Sequence, residues 1–167
     1  QAGSMLNQRE IDLLQHQRYT QQMHGALAAV PMDDFLRNFL TQVWSQAIVH
    51  AHRVHGEEAD ITQRMRAVGR ELVLSIQAKA TPLDRKNFLL RLPHLMKDLN
   101  EGLAMIGWPE KAKKAFLGEL LPAHSESLKG AKSPTQLDFN LLARQMDKIM
   151  ALQVPKPGEG PVHGTPM

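Results

Sequence analysis

The sequence predicts an all-α protein: a single multi-helix bundle of about six helices with proline kinks, followed by a disordered C-terminal tail. Three observations carry that prediction. Apolar residues recur at intervals of three and four along most of the chain, the period of one helical face. Start and stop residues punctuate these runs, most clearly at Gly107-Trp108-Pro109. There glycine suits the left-handed end of one helix and proline the first position of the next. No stretch alternates with period two, and no Asn-Gly or Asp-Gly hairpin turn occurs.

Composition bounds the rest. A chain of 167 residues that is 43% hydrophobic supports one well-buried domain and is too apolar to be disordered throughout. The absence of cysteine removes disulfides, thiolate metal sites and cysteine nucleophiles, and fits a reducing compartment. No apolar run approaches the roughly 20 residues that span a bilayer, so no membrane partner is expected. A net charge of +3 is weak evidence for nucleic acid.

Element by element, Gln1–Ser4 before Met5 looks like a vector remnant. Residues 5–30 form an amphipathic helix with a thin stripe of Leu6, Leu13 and Leu27, expected to pack on its own bundle. Val30-Pro31 breaks the chain, and the bundle proper occupies residues 31–153. Asp33 and Asp34 favour the first turn of a second helix through its dipole. Phe35, Leu36, Phe39, Leu40, Val43, Trp44, Ala47, Ile48 and Ala51 give it a wide apolar face, and Gly56 ends it.

Asp60 with Gln63 resembles a capping box opening a third helix, whose seam is Ile61, Met65, Val68, Leu72 and Ile76. Thr81-Pro82-Leu83-Asp84 combines an N-cap hydroxyl, a first-turn proline and an acid. The fourth helix runs from there toward Ile106, with a kink or break expected near Leu92 because of Pro93. The fifth begins at Pro109 and carries Pro122. Ser133-Pro134 starts a sixth, and residues 154–167, rich in Pro and Gly, read as a flexible tail.

Some of these residues form an ordered string. It begins with Val30-Pro31, Phe35-Leu36, Phe39-Leu40 and Trp44, followed by Glu71-Leu72 and Ser75-Ile76-Gln77-Ala78-Lys79. Arg85, Leu92-Pro93-His94-Leu95, Gly102-Leu103 and Ile106-Gly107 come next, then Phe116, Leu120 and His124. From Pro31 to Lys129, about three-fifths of the chain, the protein resembles the bacterial domain-of-unknown-function family 1631, large cytosolic proteins. The resemblance implies a fragment of a longer helical protein in the cytoplasm. It supplies no activity.

Candidate chemistry is thin. His52 and His55 share a helical face near Glu57 and Glu58 and are the only metal-ligand candidates, but they lack the four-residue spacing and intervening Glu of a zinc helix. Ser75 and Lys79 have helical spacing for a dyad. Such a pair needs a lysine depressed by burial and an oxyanion hole, and the sequence announces neither. Lys79 has a simpler role, neutralising the negative end of a helix. His94 and His124 follow prolines and are expected to be buried, bonded to carbonyls freed by the kinks. No catalytic residue, metal or cofactor is assigned.

Basic residues accumulate at Arg64, Arg66, Arg70, Arg85, Lys86, Arg91 and Lys97, then at Lys111, Lys113 and Lys114. If their helices align, they make one electropositive face for nucleic acid or another anionic ligand. The expected core is Phe35, Phe39, Trp44, Leu72, Leu103, Ile106, Trp108 and Phe116, with Trp108 packing between the fourth and fifth helices. The function expected on balance is a non-enzymatic protein-interaction or scaffold module. Its partner would be another protein or another domain of the parent chain, with nucleic acid as the alternative.

Overall fold

A computed structural model describes residues 2–129 and 139–156, and among these every regular element is helical. Six helices follow one another: α1 (Ala2–Leu27), α2, α3 (Asp60–Ser75), α4 (Pro82–Met105), α5 (Glu110–Leu128) and α6 (Phe139–Met150). α2 is composite, running through Asp34–Phe39, a wider π segment at Leu40–Trp44, and Ser45–His55. α3 is central, packed against α2, α4 and α6, while α1 lies across α2 and reaches α6.

The middle of the core is the Trp44 side chain, which is fully buried and donates from Nε1 to Met65 O at 2.7 Å. Helix α4 comes close enough to touch the indole because Gly102 has no side chain. A Cβ there would lie 2.8 Å from both Met65 Sδ and Trp44 Cζ3, closer than real contacts allow. The π segment contributes to the fit, since one extra residue per turn shifts register and places Phe39, Leu40 and Trp44 all inward. Ser45 Oγ donates to Thr41 O at 2.7 Å, supporting a carbonyl where the register changes. The sequence predicted an unbroken α-helix here and carried no sign of the wider turn.

α1 packs on its own bundle, by a different face from the expected one. Gln15, Tyr19, Met23 and Leu27 are buried at spacings of four, whereas Leu13 is 57% exposed. Of the heptad Leu6, Leu13 and Leu27, Leu27 is buried and Leu13 is not, because Gln15, Tyr19 and Met23 take the inner positions before it; Leu6 lies outside the side chains described.

Helix ends agree in part with the sequence signals. Thr81 Oγ1 accepts from Asp84 N at 3.0 Å and Pro82 opens α4, as expected. Gly107 (φ 65°) closes α4: Trp108 N donates to Leu103 O at 3.0 Å and Gly107 N to Ala104 O at 3.1 Å. That pair of bonds satisfies the last carbonyls of the helix. Two expectations are corrected. Ala59, not Asp60, is the N-cap of α3, which leaves Asp60 inside the first turn and bonded to Arg64 at 2.7 Å. Pro109 is the N-cap of α5 and Glu110 its first residue.

Prolines break neither helix: α4 runs through Pro93 and α5 through Pro122. Both prolines face solvent, where a lost amide bond leaves its carbonyl to water. Ser133-Pro134 and residues 157–167 lie outside the described residues. The first tail residues are held instead of loose, with Val154 and Pro155 buried and Gln15 Nε2 donating to Pro155 O at 2.8 Å.

Candidate functional site

Between α3 and the first half of α4 lies a cleft of about 200 Å³, and at one end of it four polar residues form a closed ring. The ring starts where α3 stops. Ser75, the last residue of that helix, places its hydroxyl 2.7 Å from Leu72 O and 2.8 Å from His124 Nε2 on α5. Ser127 Oγ donates to His124 O at 2.7 Å and accepts from Lys79 Nζ at 2.9 Å. Lys79 Nζ donates back to Ser75 O, and Lys79 N to Ser127 O at 2.9 Å.

Lys79 is 5% exposed, so its ammonium is satisfied almost wholly by protein. Its ring face is Phe88, whose centroid lies 4.0 Å away, and Phe88 also meets the His124 ring edge-on at 5.0 Å. Ser75 O is one of the carbonyls a helix end leaves unpaired, so Lys79 neutralises the end of α3 as the sequence suggested. Burial pushes the lysine down to about 8, against the pull of Asp84. His124 falls to about 4, first by burial and then by the nearby Lys79 charge. A neutral imidazole is therefore the ground state at pH 7.

The dyad weighed from the sequence thus acquires the buried, depressed lysine that the sequence did not announce. Its hydrogen bonds are nevertheless spent inside the ring, and an imidazole held near 4 is a poor general base at neutral pH. The arrangement joins the end of α3 and the residues after it to α5. His124 is buried as expected, but its ring nitrogen meets a hydroxyl and not a carbonyl. His94 is exposed, contrary to expectation, because Pro93 and its neighbours lie on the outer face of α4.

Several of the basic residues are not free to serve an open face. Arg66 is 5% exposed and makes a two-pronged pair with Glu57 at 2.7 and 3.0 Å. It also donates to Met150 O at 2.6 Å and Leu152 O at 2.9 Å, closing the C-terminal end of α6 onto α3. Burial alone would raise the Glu57 carboxyl, but the Arg66 bond and charge hold it below its usual range. Tyr19, beneath them, is pushed up to about 12 by burial.

Arg64 meets Asp60, Asp98 and Glu101 at 2.7, 3.0 and 2.6 Å, and these bonds raise its already high pKa. Arg70 sits between Glu71 and Asp147. Half-buried Arg85 donates to Lys79 O at 3.2 Å. Arg91, Lys86, Lys97, Lys111 and Lys114 remain at the surface, and Lys113 is half-buried. The physical reason is proximity: carboxylates of α3 itself, of the loop before it and of the facing helices α4 and α6 take up the arginines of α3.

His55 is exposed and His52 half-buried, with His52 Nε2 3.8 Å from Glu57 Oε1. Among the described residues no group of three His, Asp or Glu side chains is placed to hold a metal ion.

Of the expected core, Phe39, Trp44, Leu72, Leu103 and Phe116 are buried. Phe35, Ile106 and Trp108 are half-buried against them. Trp108 reaches further than the corner it occupies, meeting Phe39 of α2 at 5.5 Å and Phe116 of α5 at 6.3 Å. Besides touching α5 it closes an aromatic cluster with α2.

Residues 6–121, more than two-thirds of the chain, match a family model described as the third domain of a protein of unknown function (DUF1631). The chain belongs to the DUF1631 family. The match takes in α1, which the string of residues beginning at Val30 had left out, and agrees with the burial of Tyr19, Met23 and Leu27 in the same core. No curated protein and no solved structure matches this DUF1631 domain. No helix among its described residues is long and apolar enough to cross a membrane.

Proposed function

We propose that this DUF1631 domain is a non-enzymatic helical interaction module whose partner is another domain of the parent chain. The observation that supports it is the outer side of α4, where Leu83, Leu89 and Leu90 stand within eight residues and each is more than half exposed. Leu121 is 69% exposed on α5, in the region that the Phe88–His124 contact brings beside the same half of α4. Single exposed leucines are ordinary; three within eight residues of one helix suit burial by a partner. The family model adds support, because it describes a third domain and so a longer chain. An electrostatic partner has less behind it, since the arginines of α3 are already bonded to carboxylates.

Hydrogen exchange tests the reading. Amides of residues 83–92 should exchange more slowly in the full-length parent protein than in the isolated domain, and Leu83→Glu with Leu90→Glu should abolish that protection. Equal exchange in the two contexts would overturn it.

A further inference from the structure

The cleft beside the polar ring has walls of Leu74, Phe88, Leu92 and Leu95 and charged side chains of both signs at its edge. At about 200 Å³ it is several times the roughly 30 Å³ that a water occupies, and smaller than the roughly 300–1,000 Å³ of drug-sized ligand sites. A ligand matched to it has one ring or a short branched chain. The cations Arg70, Lys79 and Arg91 line it beside the carboxylates Glu71 and Asp84. Asp147, just outside the lining, also pairs with Arg70, so what distinguishes the cations is how far each one's donors are filled.

The unfilled donors can be located. Lys79 is committed to Ser75 O, Ser127 Oγ and the Phe88 ring. Arg70 is held by Glu71 and Asp147. Arg91 makes a single 3.4 Å contact with Glu71, a carboxylate it shares with Arg70, and its side chain is 69% exposed. Among the described residues at the cleft, its fork of donors is the one with room for a new anion, and the flat guanidinium suits a carboxylate. Glu71 and Asp84 would repel a second negative charge, which disfavours a phosphate dianion or a dicarboxylate.

We infer that this cleft binds a small monocarboxylate, with the carboxylate on Arg91 and a compact apolar body against Leu74, Phe88 and Leu92. The inference is independent of the docking surface on the outer side of α4.

Nitrogen–proton correlation spectra of the labelled protein, titrated with phenylacetate and separately with uncharged phenylacetamide, test it. Saturable shifts should centre on residues of the cleft, and the acid should bind about tenfold tighter than the amide, the weight of one charge-assisted bond. Arg91→Gln, a surface change, should erase the difference between acid and amide. Asn87→Trp, which fills the mouth of the cleft from an exposed position, should remove binding of both. Equal affinity of acid and amide, an unchanged preference in Arg91→Gln, or no saturable shift by about 10 mM acid would each overturn it.

Discussion

Around Trp44 the helices approach until an indole rests on the backbone of Gly102. Around Lys79 they are joined instead by a circuit of polar atoms from Ser75 through His124 and Ser127. The first region buries its side chains and leaves no room for one more carbon. The second keeps a cleft, a cation and exposed leucines. Dispersion and apolar burial reward close approach without regard to pH. A buried polar ring holds its partners in one register, and it depends on every member keeping its protonation state. The domain therefore has a tightly packed side that fixes the fold and a more open side that retains free surface.

The sharpest way to break this contrast is Trp44→Ala. It removes the largest buried side chain and its bond to Met65 O, and should cost about 4 kcal/mol in urea unfolding. A loss near 1 kcal/mol would mean that the Trp44 side is no better packed than the cleft side.

The polar side should declare itself through acid. The unfolded chain protonates His124 at the ordinary 6.5 and the folded protein only at about 4, so the unfolded state binds more protons between those values. Stability must then fall as pH drops through that window, by of order 2–3 kcal/mol from this residue. His124→Asn should lower stability at pH 7 yet flatten the profile between pH 6.5 and 4. A variant profile as steep as the wild type would place the acid sensitivity elsewhere.

The smallest effect belongs to Leu90→Ser, which should change the stability of the isolated domain by less than about 0.5 kcal/mol. A larger loss in thermal unfolding would mean that Leu90 already packs within the domain, and would remove it from the proposed docking surface.

Much of the fold was legible because its signals are local. Thr81, Pro82 and Asp84 announce a helix start by their own chemistry, and Gly107 announces a stop because its conformation suits glycine. The period of Met65, Val68 and Leu72 marks the inner face of α3 without reference to anything else. Ambiguity began where polar residues were buried. Gln15 and Tyr19 line the inner face of α1, so a stripe drawn through leucines alone chose Leu13. Arg66 read as one more surface cation because its partners, Glu57 and the carbonyls of Met150 and Leu152, are supplied by other parts of the chain.

The candidate site was less legible for the same reason. Ser75 and Lys79 are neighbours along the chain and could be weighed together, but His124 and Ser127 reach them only when the far end of α5 packs against the end of α3. The family resemblance began at Val30 because the quoted residues did, and the place of α1 in the domain emerged from its packing.

By itself, then, the sequence determined the helical class, most helix boundaries and the apolar seams of α2 and α3, since periodicity and capping act over a few residues. Tertiary structure alone decided which charges are neutralised, which prolines a helix tolerates, and that four polar residues close into a ring beside a cleft. Those outcomes depend on distances of a few ångströms between segments far apart in sequence, where electrostatic and hydrogen-bond energies change steeply and periodicity says nothing.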